Sequence, residues 1–389
     1  MAKKQSRRAF IELALKASAF SIVAPTLLSC NTTSEKKKKV ANTTAKKLKI
    51  LILGGTSFLG PHQIAYALQR GHSVSTFTRG KTKPTIYTEL FDQVEQLIGD
   101  RENDVTALKN RTWDVVIDNS GRKVDWTKKT AKLLKENCDL YLYTSSTGVY
   151  YPYIKGNAKE SDTVVLELPE NYNADFKMVY EYGIMKANSE LAAISEFGSD
   201  KTIVVRPTYM IGPADKTNRF IHWPIRLSQG GEILVPGKET DSVQYVDVRD
   251  VAEWMIRLAE DQKSGTYNAV GPKNAQNMHS FIEEASKAFT TVASSFVKID
   301  DYDFLKENGI EYIVPWILPY PDLFGSAKIN NEKAITNGLT FRALPQTVKD
   351  TYNWWNSDAV NQEQRDAVEQ NPNSILAKEQ AIIKKWKTR

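Results

Sequence analysis

A chain of 389 residues with 41% hydrophobic side chains can bury one large core or two modest ones, and two cysteines exclude a disulfide framework. The formal charge of +6 points to nucleic acid only until it is located: residues 1–47 hold eleven Lys/Arg against two Glu, whereas from residue 48 onward 41 basic residues face 44 acidic ones. The body of the chain is therefore slightly acidic, and nucleic-acid binding loses its compositional support.

The chain opens on a basic stretch (Lys3, Lys4, Arg7, Arg8). The apolar run after it is interrupted by Glu12 and Lys16 and is too short for a comfortable membrane span. Residues 1–30 thus read as an export leader. Ser6-Arg7-Arg8-Ala9-Phe10-Ile11 resembles a twin-arginine motif, and Leu27-Leu28-Ser29-Cys30 resembles a lipobox in which Cys30 is lipidated after cleavage. Leu28 stands where a smaller residue is usual, and chance arginines in a lysine-rich terminus are the plainer alternative. Residues 31–47, NTTSEKKKKVANTTAKK, are polar and without apolar period, as expected of a solvated tether. The expected location is the cell envelope, periplasm or cell surface, with a lipid anchor in the membrane.

From Leu48 short β-branched runs alternate with helical periodicity. KILIL (49–53), VVID (115–118), LYLYTSS (140–146) and TIVVRP (202–207) read as buried strands. Between them PHQIAYALQR (61–70), DWTKKTAKLLKEN (125–137) and GIMKANSELAAISEF (183–197) carry apolar residues at helical spacing. The alternation predicts an α/β fold, a Rossmann-type doubly wound parallel sheet over residues 48–212.

Gly54-Gly55-Thr56-Ser57-Phe58-Leu59-Gly60 follows the first strand and opens a helix. In that context glycines let the backbone approach a pyrophosphate, and amides at the helix start solvate it. A tight turn without a ligand uses glycine too; the strand before and the helix after favour a dinucleotide. HSVSTFTRG (72–80) ends in Thr78-Arg79, where NAD-preferring proteins usually place an acid. Arg79 reads equally as a partner for a 2′-phosphate or as a solvated turn residue, so NAD and NADP both stay open.

The glycine turn, YTSSTGVYYP (143–152), YGIMKANSE (182–190) and VVRPTYMIGP (204–213) occur in this order at fitting spacings. Together they resemble the extended short-chain dehydrogenase/reductase superfamily of the NAD-dependent epimerase/dehydratase type, over roughly residues 48–355. A single Y-x-x-x-K is common by chance; four ordered motifs are not. Tyr182 and Lys186 stand four apart on one helical face, so an ammonium can approach the phenol and favour phenolate. A phenol at its reference value of about 10 is a poor base at neutral pH, and the lysine with the positive nicotinamide brings it nearer working range. The resemblance implies that Tyr182 takes a sugar hydroxyl proton as hydride leaves, that Lys186 also holds the nicotinamide ribose, and that Ser146 hydrogen-bonds the reacting oxygen, with Ser145 and Thr147 beside it. Taken singly, a buried tyrosine, a surface lysine and a capping serine would read as well.

The resemblance also places Asp100 near the adenine, Pro207 beside the nicotinamide pocket, and Asn119 at the mouth of the crevice. His62, inside the glycine turn, reads as packing or capping, and no His, Cys or carboxylate set has metal spacing. Two departures stand out. Sugar-nucleotide 4,6-dehydratases carry an Asp-Glu pair where this chain has Thr147-Gly148, and nucleotide-sugar epimerases carry a diphosphate-gripping arginine where it has Val243. These features draw the chain toward the atypical GGTxFLG branch, some of whose plant members are described as RNA-associated.

After Gly212-Pro213 the strand-helix rhythm fades. Residues 213–355 read as a smaller substrate lobe, with returns to the Rossmann core near 243–270, and 356–389 as a helical extension. NRFIHWPIRLSQGGEILVPG (218–237) and YIVPWILPYPDLFG (312–325) are rich in aromatics and prolines, which suits irregular core or a carbohydrate cleft. His222, Arg226 and Tyr245 are candidate substrate contacts, with Trp223 and Trp316; Trp354-Trp355 read as a helix packing back on the body. The expected protein is an exported, NAD(P)-dependent sugar epimerase or dehydratase whose tightly bound cofactor is recycled. Its expected partner is a carbohydrate rather than a nucleic acid, and a homodimer is compatible with the resemblance. A net carbohydrate oxidoreductase and a non-catalytic RNA-associated scaffold are the competing expectations.

Overall fold

The computed structural model describes residues 46–389. The leader, Cys30 and the tether up to residue 45 lie outside the described residues. Among the described residues, no helix is long and apolar enough to cross a membrane.

Seven parallel strands form the central sheet: β1 (Lys49–Leu53), β2 (Ser73–Thr78), β3 (Glu95–Ile98), β4 (Trp113–Asp118), β5 (Cys138–Thr144), β6 (Thr202–Pro207) and, from later in the chain, β10 (Gly265–Ala269). Their spatial order is β3-β2-β1-β4-β5-β6-β10. The alternation of side chains explains why these strands are apolar throughout. Ile50 and Ile52 enter one core and Leu51 and Leu53 the core on the opposite face, so both faces are dry. The order reverses between β1 and β4, which opens a crevice at the carboxyl ends of those strands.

The helix Leu59–Gln69 leaves that crevice and packs against the helix Val248–Glu260, whose buried residues join the same core as Ile50 and Ile52. On the other face the helix Lys177–Phe197 buries Tyr180, Gly183, Lys186, Ala187, Glu190, Ala193 and Phe197, a stripe at helical spacing.

The second lobe carries β7 (Met210–Ile211), β9 (Ser242–Asp247) and β11 (Gly271–Asn277) in one small sheet, and β8 (Gly231–Pro236) paired with β12 (Ser294–Ile299) in another. The chain returns from this lobe to supply β10 to the large sheet, so the cofactor half is not contiguous. Part of 218–237 is regular: it forms the helix His222–Gln229 and then β8. Pro224 is accommodated there because first-turn amides have no intrahelical acceptor. Trp354 and Trp355 are buried at the end of the helix Leu344–Trp355. In the last helix, Ile375–Lys387, Ile382 and Ile383 join the lobe core, so the terminal segment is a structural part of the lobe.

Candidate active site

The glycine turn lies at the switch point. Gly54 has φ +84°, and a Cβ there would stand 2.7 Å from Ser120 Cβ; one on Gly55 would stand 2.6 Å from Thr76 Cγ2. Gly60 presses against backbone: its Cβ would lie 2.5 Å from the carbonyl carbon of Gly55. Phe58 enters the helix at φ 40°, and Leu59 and Gly60 are buried while Thr56 is half-buried and Ser57 exposed. The first turn of the helix therefore presents amides to the crevice with no side chain in the way, a cradle that fits a pyrophosphate.

Around the cradle, Asn119 is clamped at the end of β4. Its amide donates to Gln63 Oε1 at 2.6 Å and its carbonyl accepts from Thr144 Oγ1 at 2.7 Å. Arg79 is exposed just past β2. Asp100 forms a two-way backbone bridge with Asp104, and its carboxylate accepts the Glu102 amide at 2.8 Å, so it shapes a turn at the crevice edge. Its neighbour Arg101 turns inward to grip Asp118 at 2.6 and 2.7 Å, with the Tyr141 hydroxyl donating to the same carboxylate at 2.7 Å. Burial acts to raise Asp118, but Arg101 and Tyr141 hold its carboxyl below the usual range.

Tyr182, Lys186 and Ser146 come together on the next strand ends. Lys186 Nζ donates to the Thr144 carbonyl at 3.0 Å and lies 5.1 Å from the Tyr143 ring centroid. Burial alone would lower this ammonium, but the phenols of Tyr143 and Tyr182 outweigh it and the net shift is upward. Tyr182 keeps 37% of its surface exposed, open for a ligand. Gly148 is the junction: a Cβ there would be 3.1 Å from the Tyr182 ring and 3.2 Å from Ser146 Oγ, while a Cβ on Gly183 would strike the Gly148 carbonyl. These two glycines let the helix and the strand end meet, which sets the tyrosine beside the serine.

Ser146 Oγ accepts the Gly148 amide at 3.0 Å, leaving its own proton to offer. Its neighbours are committed elsewhere. Ser145 Oγ donates to Glu190, and Thr147 Oγ1 lies 3.5 Å from the Pro207 carbonyl. Glu190 is itself held by Arg206 at 3.0 and 2.6 Å, and Arg206 continues to the Tyr150 hydroxyl at 2.7 Å. Tyr180, two positions before Tyr182, is buried edge-on against Tyr151 at 4.6 Å and belongs to the core. His62 is buried with Nε2 3.2 Å from the Pro213 carbonyl, and burial lowers it to about 4, which fits packing. Among the described residues no cluster could hold a metal ion.

The expected substrate contacts lie elsewhere. Arg226 gives Nε to Glu379 and its other nitrogens to the carbonyls of Gly230 at 2.7 Å and Glu232 at 2.5 Å, so every nitrogen is engaged within the buried core. The Tyr245 hydroxyl donates to Gln276 at 2.7 Å and its ring packs on Phe281 at 5.3 Å. His222 stacks edge-on against Trp223 at 4.7 Å; burial lowers it to about 3, and its Nε2 is buried without a partner. Trp223 and Trp316 are fully buried, donating to Val314 at 2.7 Å and Asp241 at 3.0 Å. These residues build the lobe core, because aromatic and proline-rich composition serves packing as well as it serves a cleft. Val243, where the diphosphate arginine was sought, is buried in that core.

Residues missed in the sequence face Tyr182 instead. Half-buried Tyr209 and Tyr312 flank Arg219, edge-on to each other at 5.9 Å with the guanidinium 5.7 Å from the Tyr209 ring, and buried Asp215 is tied to it through Thr217. The charge state of Tyr182 acts on Arg219 and on half-buried Tyr153. Arg219 sits in the aromatic stretch that drew notice, but Tyr209 stands ten positions before it and Tyr312 ninety-three after it. A separate concavity of about 440 Å³, lined by Asn157, Gln244, Lys273 and Gln276 among others, shares no residue with this crevice.

A doubly wound sheet, a glycine cradle at its switch point and a Ser-Tyr-Lys trio on the neighbouring strand ends define a dinucleotide-binding protein of the short-chain dehydrogenase/reductase kind. Residues 50–270 match the model of the NAD dependent epimerase/dehydratase family, and the chain belongs to that family. Its fold is similar to UDP-N-acetylglucosamine 4-epimerase from Methanobrevibacter ruminantium M1, at 16% identity over 80% of this chain and 98% of that one, TM-score 0.56. It is similar at TM-score 0.56 to Bordetella bronchiseptica WbmH, solved with NAD+, at 16% identity over 81% and 100% of the two chains. UDP-glucuronic acid 4-epimerase from Bacillus cereus, solved with NAD, gives 17% identity over 79% and 98%, TM-score 0.52. In sequence the chain is 27% identical over 242 residues to chloroplast stem-loop binding protein of 41 kDa b from Arabidopsis thaliana, spanning 58% of this chain and 59% of that relative's length. The family is NAD dependent, and the residues present fit that cofactor: the cradle of Gly54, Gly55 and Gly60 for the pyrophosphate, and the Lys186 ammonium beside Tyr182 for the nicotinamide end.

Proposed function

We propose that the protein is an envelope-tethered sugar epimerase or dehydratase acting on free or polysaccharide-derived saccharides, uronate-containing ones among them. The observation that carries this reading is the meeting of Ser146, Tyr182 and Lys186 at Gly148 beside the glycine cradle. NAD bound there would supply a reversible hydride acceptor for the sugar carbon. The side chains do the rest. The Tyr182 oxygen takes the sugar hydroxyl proton and later returns it, Lys186 stabilises the phenolate, and Ser146 donates to the reacting oxygen. Hydride returned to the other face of the transient ketosugar, with the Tyr182 proton returned to its oxygen, gives an epimer at that carbon; elimination of a β leaving group needs a further base for the acidified hydrogen next to the carbonyl. Thr147-Gly148 supplies no carboxylate where the 4,6-dehydratases carry their Asp-Glu pair, and the Tyr182 ring packs 3.1 Å from where a Gly148 Cβ would stand, which favours epimerisation. Val243 in place of an arginine disfavours a nucleoside-diphosphate substrate.

The leader supports the same cycle. A twin-arginine route exports folded protein, so NAD bound in the cytoplasm travels with the chain. Outside, no free nicotinamide pool replaces spent cofactor, and only a reaction that returns its hydride turns over repeatedly. Mass spectrometry of oligosaccharides incubated with the NAD-loaded protein tests this. New isomers of unchanged mass mean epimerisation and loss of one water means dehydration. Absorbance at the reduced-nicotinamide band rising in proportion to product would replace the reading with a net oxidoreductase.

One observation favours a second reading, an RNA-associated protein: the similarity to the Arabidopsis stem-loop binding protein. It predicts tight, salt-sensitive RNA binding by residues 48–389 that survives Tyr182→Phe. The acidic balance of this body opposes it.

A further inference from the structure

Tyr182, Lys186 and Glu190 stand four apart on the helix Lys177–Phe197 and share one face, along which their exposure falls from 37% through 8% to 4%. The face opens on the crevice at Tyr182 and is sealed two turns later at Glu190. There the carboxylate accepts from Ser145 Oγ and from Arg206 Nε and Nη2, the last two at 3.0 and 2.6 Å. Arg206 Nη1 goes on to the Tyr150 hydroxyl at 2.7 Å, and that hydroxyl donates to Asn268 at 2.8 Å. One buried ion pair thus joins three elements: the helix of Tyr182 and Lys186, the end of β5, and the end of β6 at Pro207.

Ser146 lies between two of these ties. On one side Ser145 is fixed by Glu190 and by its own amide, which donates to the Val205 carbonyl at 2.7 Å. On the other, Ser146 caps the short turn Thr147–Tyr150, whose last residue is the tyrosine that Arg206 holds. With Ser145 seated against Glu190, the next side chain of the extended backbone points another way and ends beside Gly148, against which Tyr182 also packs. Thr144, just before, carries the carbonyl that takes the Lys186 ammonium. Desolvation offsets most of what a buried ion pair gains, and apolar residues of similar volume often replace one without loss of stability. Its orientation is harder to replace, because a guanidinium fork meets a carboxylate in two hydrogen bonds of fixed geometry.

We propose that Glu190 and Arg206 are positioning residues for the reaction: their pair sets Tyr182 and Lys186 in register with Ser146 and so holds the nicotinamide end of NAD in its working place. This rests on the reading above that those three side chains carry the chemistry. The pyrophosphate cradle stands on other elements, β1 and the helix Leu59–Gln69, and does not depend on the pair. Loss of the pair therefore loosens one end of the cofactor and leaves the other.

Competition between NADH and ADP, followed by NADH fluorescence, tests it without any saccharide. The two nucleotides share the adenosine and the pyrophosphate, and only NADH carries the second ribose and the nicotinamide. In Glu190→Leu with Arg206→Met the urea midpoint should stay near the native one, and NADH should lose about tenfold in affinity relative to ADP. Ser145→Ala cuts the tie to β5, leaves the ion pair whole, and should lower the same ratio about threefold. Arg226→Met with Glu379→Leu replaces a buried pair of the lobe core and should leave the ratio unchanged. A ratio kept in the first two variants, ADP weakened as much as NADH, or an equal fall in the lobe-core variant would each overturn the proposal. On a saccharide that the native protein converts, Glu190→Leu with Arg206→Met should lower kcat about a hundredfold with little change in KM, as misplaced reacting groups do; a change in KM alone would overturn it too. A native protein that converts no saccharide defeats the epimerase reading, and the nucleotide ratio then decides this one by itself.

Discussion

On the sheet side of the crevice Arg101 and Arg206 are each gripped by a carboxylate and sealed by a phenol, Tyr141 or Tyr150. On the lobe side Arg226 is closed on Glu379, while Arg219 reaches the buried Asp215 only through Thr217 and lies against the Tyr209 ring. The difference separates two uses of one residue type. A guanidinium closed on a carboxylate of a distant element ties elements together, Arg226 fastening the last helix to the lobe. One held through the hydroxyl of a residue two positions away fixes its own loop. A related division separates Tyr182 and Ser146 from Tyr180 and Ser145: the first pair keep an open valence, the second are spent on packing or on Glu190.

The largest test of this division is Tyr182→Phe. It should keep the fold and bound NAD and lower turnover by roughly a hundred to ten thousand fold, read as isomer formed per enzyme. A fall of less than about tenfold would move the base off Tyr182. Ser146→Ala should also lose turnover, because Ser145 and Thr147 are already engaged; full activity would show that one of them is released on ligand binding.

Next in size is the sealed pair. Glu379→Ala leaves Arg226 shielded and unpaired and should cost about 3–5 kcal/mol in urea unfolding, whereas Arg226→Met with Glu379→Leu should recover most of it. Arg219→Gln should change stability by less than about 1 kcal/mol. Equal losses at 219 and 379 would erase the contrast between an arginine that fixes its own loop and one that joins distant elements.

A smaller effect is pH-dependent. His62 and His222 are lowered from 6.5 to about 4 and about 3, first by burial. A lowered value means stability that is complete above 6.5 and is lost as pH falls toward those values, because the unfolded chain binds the proton the folded one refuses. His222→Gln should remove on the order of 2 kcal/mol of the loss between pH 7 and 4.5. Asp250, raised to about 6 by burial and Asp247, acts in the opposite sense: its contribution is full below 3.8 and fades as pH rises through about 6. Stability profiles of His222→Gln and Asp250→Asn that tilt the same way would contradict these signs. The smallest expected change is Arg79→Ala: the side chain is exposed, and NAD content after purification should be unaltered.

Much of the cofactor half was written locally. Gly54 needs its positive φ and Gly60 its close approach within a seven-residue turn, Tyr182 and Lys186 share a helix face by spacing alone, and the two-faced burial of β1 shows as an uninterrupted apolar run. The sequence by itself therefore determined the doubly wound sheet, the cradle, the trio and the family, since each depends on neighbours within a turn or a strand. What only the tertiary structure decided was which polar side chains are spent. Arg226 and Tyr245 look like substrate contacts until Glu379, 153 positions away, and Gln276, 31 away, are seen to occupy them. Arg219 looks like any loop arginine until Thr217 ties it to Asp215 and Tyr209 comes against it. Gly148 looks like a missing acid until the Tyr182 ring is seen packed 3.1 Å from where its Cβ would stand. Pairing and exclusion are properties of long-range packing, and no local pattern encodes them.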